Sequence, residues 1–172
     1  MVTTSKELLL TSITHFYDKN PSYRELLKRL VEGDHPISLR LIDGFITHYA
    51  KQKNVIYWLD ANGTIQTTPM ASYKRVQVYQ EYRSQLKAYT KMYFDPFRRH
   101  ERISFVIQNK PLQTLETTIG QLNFFRWIFQ TRILDYIEKN HDVIERMLQT
   151  AVKPKTVPHN TITETMSFLK FD

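Results

Sequence analysis

Residues 87 to 105, KAYTKMYFDPFRRHERISF, hold the side chains best suited to gripping a ligand. Arg98, Arg99, His100 and Arg102 crowd into five positions, and Lys87 and Lys91 precede them at the i, i+4 spacing of one helical face. A guanidinium binds phosphate or carboxylate through paired N–H donors, and ring faces such as those of Tyr93, Phe94 and Phe97 stack on any base. The chemistry on offer is recognition of a polyanion or of an acidic partner. A structural reading stands beside it. Rings at helical spacing commonly face a core, and Lys and Arg stems commonly lie along apolar surface. On that reading Phe94, Asp95, Pro96 and Phe97 form the corner that turns a helix into a strand.

A second cluster lies in GQLNFFRWIF, residues 120 to 129. Gln121, Asn123 and Arg126 are able to line a pocket, yet Phe124, Phe125, Trp127 and Phe129 surround them with rings and suggest a helix buried on more than one side. Aromatic surface beyond what a small domain covers would serve as a protein interface, where Trp, Tyr, Phe and Arg are enriched.

Charge follows the first cluster. The chain of 172 residues carries a net +7, and the stretch from Ser72 to Arg102, with eight Lys or Arg against Glu81, Asp95 and Glu101, accounts for +5 of it. Such a local field favours an anionic partner.

Catalytic chemistry finds little footing. With no cysteine, thiolate nucleophiles, zinc–thiolate sites and disulfides are excluded. The six histidines (15, 35, 48, 100, 141 and 159) show no ligand spacing, and the four glycines are isolated, so neither a phosphate-cradling loop nor a nucleophile elbow is present. His100 and Glu101 are adjacent, and on a strand adjacent side chains point to opposite faces. A pocket built around Asp95, Glu101 and Gln121 would lack a nucleophile, base and orienter set. The sequence therefore predicts a non-enzymatic protein with no catalytic residue, no cofactor and no metal.

These residues need elements to hold them. Ser5 is placed to cap a first helix with Leu9, Ile13 and Phe16 on one face, and Ser22 with Glu25 forms an S-x-x-E box opening a second that Gly33 ends. Ser38 heads a third helix through Tyr49, with Gly44 its weak point. Asn62-Gly63 between two β-prone runs predicts a hairpin at 55–60 and 64–68. Val78, Tyr82, Leu86, Tyr89 and Tyr93 predict a helix over 76–93 that stops before Pro96, and RISFVI predicts a strand over 101–107. Thr118 and Gln121 make a T-x-x-Q box for a helix over 118–139, the most buried of the set. Val143, Ile144, Met147, Leu148 and Ala151 mark the last helix. Together they predict one helix-rich α+β domain over 1–152, with the hairpin and the 101–107 strand in a small antiparallel sheet, and a linker or tail over 153–172. The opening residues, with charges at Lys6, Glu7, Asp18 and Lys19 around a short apolar run, suit neither a secretion signal nor a membrane span.

The segments VQVYQEYRSQLKAYTKMYFDPFRRHERISF and TTIGQLNFFRWIFQTRILDYI, over about 76–137, resemble a family of short proteins encoded by nucleocytoplasmic large DNA viruses, with a weaker echo in SLRLIDGFITHYAKQKN. The first block falls on Tyr82, Gln85 to Tyr89, Lys91, Phe94 to Phe97, Arg99 and Glu101 to Ile103. The second falls on Thr117, Thr118 and Gly120 to Trp127. The resemblance implies a viral setting and supplies no activity. The expectation is a virion-associated structural or assembly protein, such as a minor capsid component, that holds viral structural proteins through aromatic and arginine-rich surfaces. The competing expectation is a nucleic-acid-binding protein using the basic 74–102 segment, and either would work in the virion or in a viral factory of the host cytoplasm.

Overall fold

The computed structural model describes residues 3–152, so the 153–172 tail lies outside the described residues. The elements run α1 (Ser5–Lys19), α2 (Ser22–Glu32), α3 (Leu39–Gly44), a π-helical turn (Phe45–Tyr49), α4 (Ala50–Lys53), β1 (Ile56–Leu59), β2 (Ile65–Gln66) and β3 (Lys74–Gln77). They continue through α5 (Val78–Tyr93), β4 (Ile103–Asn109), β5 (Leu112–Thr117), α6 (Ile119–Gln130), α7 (Ile133–Lys139) and α8 (His141–Val152). The fold is α+β and helix-rich, and its core cluster gathers side chains from Ile13 in α1 to Ile144 in α8.

Helix α6 is the axis of that core, with its residues buried from Ile119 to Phe129 except Arg126. Helices α1, α5 and α7 pack around it. Two buried tyrosines tie other elements to it through their hydroxyls. Tyr17 of α1 donates to the Leu122 carbonyl at 3.3 Å, and Tyr57 of β1 donates to the Thr131 carbonyl at 2.6 Å. Burial pushes both phenols well above their ordinary pKa, so they stay protonated donors.

The strands form two sheets where the sequence suggests one. β1 is flanked on both edges, in the order β2-β1-β3, and β4 pairs only with β5. The strand placed at 101–107 runs from Ile103 to Asn109 and turns through the Lys110–Pro111 bond into β5. The second edge of β1 is taken instead by β3, which pairs Val76 with Tyr57 and Arg75 with Trp58. The helix predicted over 76–93 takes in the last two residues of that strand, Val76 and Gln77, whereas α5 starts at Val78.

Local chemistry accounts for the other departures. α1 is capped by Thr4, whose hydroxyl accepts from the Glu7 amide while Glu7 reaches back to the Thr4 amide. Ser22 is the first residue of α2, behind Pro21, whose missing N–H costs nothing at a helix start, so no Ser22–Glu25 box forms. The hairpin loop spans Asp60 to Thr64, and Asp60 organises it by accepting from the amides of Asn62 and Thr64 and from the Gln66 side chain. Those bonds hold the Asp60 carboxyl below its usual pKa. Of Asn62 and Gly63, Gly63 alone takes a positive φ, 76°, close to the 78° of Gly33 at the left-handed end of α2. A Cβ at Gly63 would also lie 2.6 Å from the Arg132 guanidinium. The helix read over 118–139 breaks at Thr131, whose hydroxyl bonds back to Trp127 O, and at Arg132, in the left-handed region at φ 62°.

Candidate polyanion-binding surface

The segment from Tyr93 to Arg98 leaves α5 and lies against the start of α6, and side chains at the start of α6 receive its carbonyl groups. Asn123 donates to Tyr93 O at 2.8 Å, Gln121 donates to Pro96 O at 2.8 Å, and the Thr118 hydroxyl donates to Arg98 O at 3.2 Å. In return the Asp95 amide donates to Gly120 O at 3.2 Å. Both amide side chains are used at both ends, since Gln121 Oε1 accepts from the Thr117 hydroxyl and Asn123 Oδ1 accepts from Arg126, which also reaches Ser12 of α1. A carbonyl can only accept, so the orientation of each amide follows from its partners. Gly120 is required where the segments touch, because a Cβ there would sit 3.1 Å from Met92 O and 3.3 Å from the Arg98 stem.

Within the clasp, Asp95-Pro96-Phe97-Arg98 is a β-turn closed by Arg98 N–H to Asp95 O, with Pro96 second and the Asp95 carboxylate accepting from the Phe97 amide. Phe94 points inward, 1% exposed, among Tyr82, Tyr89, Phe124 and Trp127. Trp127 is 4% exposed. Phe97 faces out, at 47%, and Met92 is also exposed, at 46%. The rings of the two clusters are therefore divided, with Phe94, Phe124, Phe125, Trp127 and Phe129 in the core and Phe97 on the surface. Gln121 and Asn123 are buried and hold backbone.

The positive side chains behave differently. Lys74, Arg75, Arg83, Lys87, Lys91, Arg99 and Arg102 are all exposed, as is His100, and none of them forms an ion pair among the described residues. Arg83 and Lys87, one turn apart on α5, line a shallow cleft of about 440 Å³ with Gln80, Ser84 and Leu86. Arg98 is the exception. Its stem lies against Gly120, it reaches Glu101 at 3.5 Å, and it belongs partly to the clasp. The acids of this stretch are engaged locally: Glu81 accepts from the Gln77 amide at the head of α5, Asp95 caps its turn, and Glu101 pairs with Arg98. His100 and Glu101 lie in the bend before β4 and not on a strand, with Glu101 at φ 62° and turned to Arg98.

Lys91 lies past a break in α5 at Thr90, which takes φ 61° and ψ 173°. Its charge acts on Asp43 of α3. Burial raises the Asp43 carboxyl above its usual pKa, Lys91 and His48 oppose that shift, and Asp95 adds to it. A carboxyl with a raised pKa in the folded state disfavours folding once pH exceeds the ordinary carboxylate range, and is neutral in both states well below it. Asp43→Asn is accordingly expected to raise the melting temperature at neutral pH, with the gain shrinking as the solution is acidified. Thermal melts across pH check this; a gain that grows in acid contradicts it.

Sequence reading missed the face of the β2-β1-β3 sheet that carries Trp58 and Arg75. The alternation in IYWL signalled two faces, but the partner strand Lys74–Gln77 was hidden at the head of a helical pattern.

Among the described residues no helix is long and apolar enough to cross a membrane. No solved structure matches the chain. Over 169 residues it is 31% identical to the uncharacterised protein L507 of Acanthamoeba polyphaga mimivirus, an alignment covering 95% of this chain and 62% of that protein. The chain thus spans somewhat less than two thirds of the length of this viral relative, in keeping with the viral setting implied by the two sequence blocks. A family model matches residues 2–169, and on that match the chain belongs to the family of unknown function DUF7197.

Proposed function

We propose that this chain is a non-enzymatic, virion-associated structural or assembly protein of a large DNA virus, and that it works by holding viral nucleic acid on its exposed basic residues. The observation that supports this reading is the set of seven exposed Lys and Arg side chains between Lys74 and Arg102 that have no carboxylate partner among the described residues. Exposed, unpaired cations do little for the fold, and a phosphate backbone neutralises them with release of its condensed counterions. The aromatic half of a protein-interface reading loses force because most of the rings are spent on the core.

The test is the affinity of the full chain for a short DNA duplex as salt is varied, beside the variant Arg83→Ala/Lys87→Ala/Arg99→Ala/Arg102→Ala. Arg98 stays in place because it supports the clasp. Log affinity should fall linearly with log salt, and the slope should flatten by about 0.9 for each phosphate contact removed. The variant should fold as the parent does, since its substitutions are exposed. No binding at low salt, or an unchanged slope in the variant, overturns the reading.

Phe97, exposed and adjacent in the chain to Arg98 and Arg99, supports a second reading, in which a viral structural protein docks there. Its signature would be binding that hardly responds to salt and is lost in Phe97→Ala.

A further inference from the structure

The β2-β1-β3 sheet buries one face and leaves the other partly exposed. Tyr57, Leu59 and Val76 point into the core. By the alternation of a strand, Ile56 and Trp58 of β1 then belong to the opposite face. Neither is part of the buried core or of the side chains packed on it. Trp58 sits at the middle of this face, in register with Gln66 of β2 on one side and Arg75 of β3 on the other. Residues paired in this way carry their Cβ atoms about 4.5–5.5 Å apart, so an indole, a guanidinium and an amide share one small area. Trp58 is half-buried, whereas Arg75 and the neighbouring Lys74 are exposed. Neither cation has a carboxylate partner among the described residues. β3 runs directly into α5, whose Arg83 and Lys87 line the cleft described above.

A large ring partly exposed to solvent, flanked by a cation and a side-chain amide and followed along the chain by further cations, matches what an unpaired nucleotide needs. The base requires a π-face, and its phosphates require positive charge. A duplex offers phosphates but keeps its bases stacked on each other, so it gains from the cations and not from the indole.

We propose that this sheet face is a stacking platform for single-stranded nucleic acid, in which a base lies on Trp58 while Arg75 and the cations beyond it hold the flanking phosphates. The proposal rests on the polyanion reading above and names the strand state that surface prefers. Gln66 lies directly opposite the indole with its side-chain amide donating to the Asp60 carboxylate at 2.9 Å, so it steadies the hairpin edge beside the platform.

The chain reports on the site itself, because of its two tryptophans Trp127 is 4% exposed and enclosed by rings, leaving Trp58 as the indole a nucleotide can reach. The experiment titrates the full chain at low salt with an oligo-deoxythymidine, and with a duplex of equal length, following tryptophan fluorescence and anisotropy. The single strand should bind more tightly than the duplex and quench the emission. Trp58→Ala should weaken single-strand binding about 5–100-fold and leave duplex binding unchanged, and Trp58→Phe, which keeps a π-face, should retain most of the affinity. Unchanged duplex binding in Trp58→Ala excludes misfolding as the cause of its loss of single-strand affinity. Salt-sensitive binding with no quenching, or with equal affinity in Trp58→Ala, overturns the platform and leaves the basic surface standing. Failure of both nucleic acids to bind overturns the basic surface and the platform together.

Discussion

Replacing Phe94 with alanine is expected to cost about 3–5 kcal/mol of folding stability, the range for deleting a buried phenyl ring. Phe94 is 1% exposed, and its ring centroid lies 5.3 Å from Phe124, 5.7 Å from Trp127, 6.1 Å from Tyr82 and 6.4 Å from Tyr89. It is thus the point where α5, the turn at Asp95 and α6 meet. Removing it leaves a cavity lined by four rings that belong to two helices and cannot close around the gap without moving one of them. A domain of ordinary stability, about 5–15 kcal/mol, would be left with little margin. Urea denaturation followed by Trp127 emission measures the loss directly. Phe97→Ala, three residues on in the same motif, is the control, because its ring is exposed and its loss should change stability by less than about 0.5 kcal/mol. Similar values for the two variants would contradict the placement of both rings.

Gln121→Leu, a change of shape far smaller than Phe94→Ala, is expected to cost about 2–4 kcal/mol for a different reason: it strands two buried polar groups at about 1–3 kcal/mol each. The Pro96 carbonyl loses its donor and the fully buried Thr117 hydroxyl loses its acceptor. The Asp95–Arg98 turn would then be held to α6 only by Asn123, Thr118 and the bond from Asp95 N–H to Gly120 O. The amides of Phe97 and Arg98, both bonded within that turn, should exchange with solvent faster than in the parent, out of proportion to the global loss. Unchanged exchange at those two amides would mean that Gln121 is not what holds the turn.

Much of this architecture was written in local chemistry. Gly33 ends α2, Ser38 and Thr118 cap the helices that follow them, and the stripe from Val78 to Tyr93 is helical. These features depend on side chains within a few positions of each other, so spacing alone reveals them. The exclusions were equally legible, because an absent cysteine or an isolated glycine rules out chemistries without reference to any fold. That α6 is wrapped on nearly all sides followed from a ring in nearly every turn.

What needed the folded chain was every relation between distant segments. Lys74–Gln77 has no strand signature strong enough to compete with the helical stripe that follows it, and it becomes a strand because β1 offers an unpaired edge. Leu112–Thr117 likewise gains its conformation from β4. The break at Thr131 and Arg132 comes from packing against Gly63 and from a hydroxyl bonding back into its own helix. Most of all, the roles of the two motif blocks were undecidable in one dimension. The same spacing allows Phe94 to stack on a ligand or to fill a core, and allows Gln121 to line a pocket or to hold a turn. Types and spacing determined which groups were available and how much positive charge they carried. Only the tertiary structure decided which of them face solvent, because burial is a property of what comes to lie opposite, and the residues opposite Phe94, Gln121 and Trp58 lie well outside any local window.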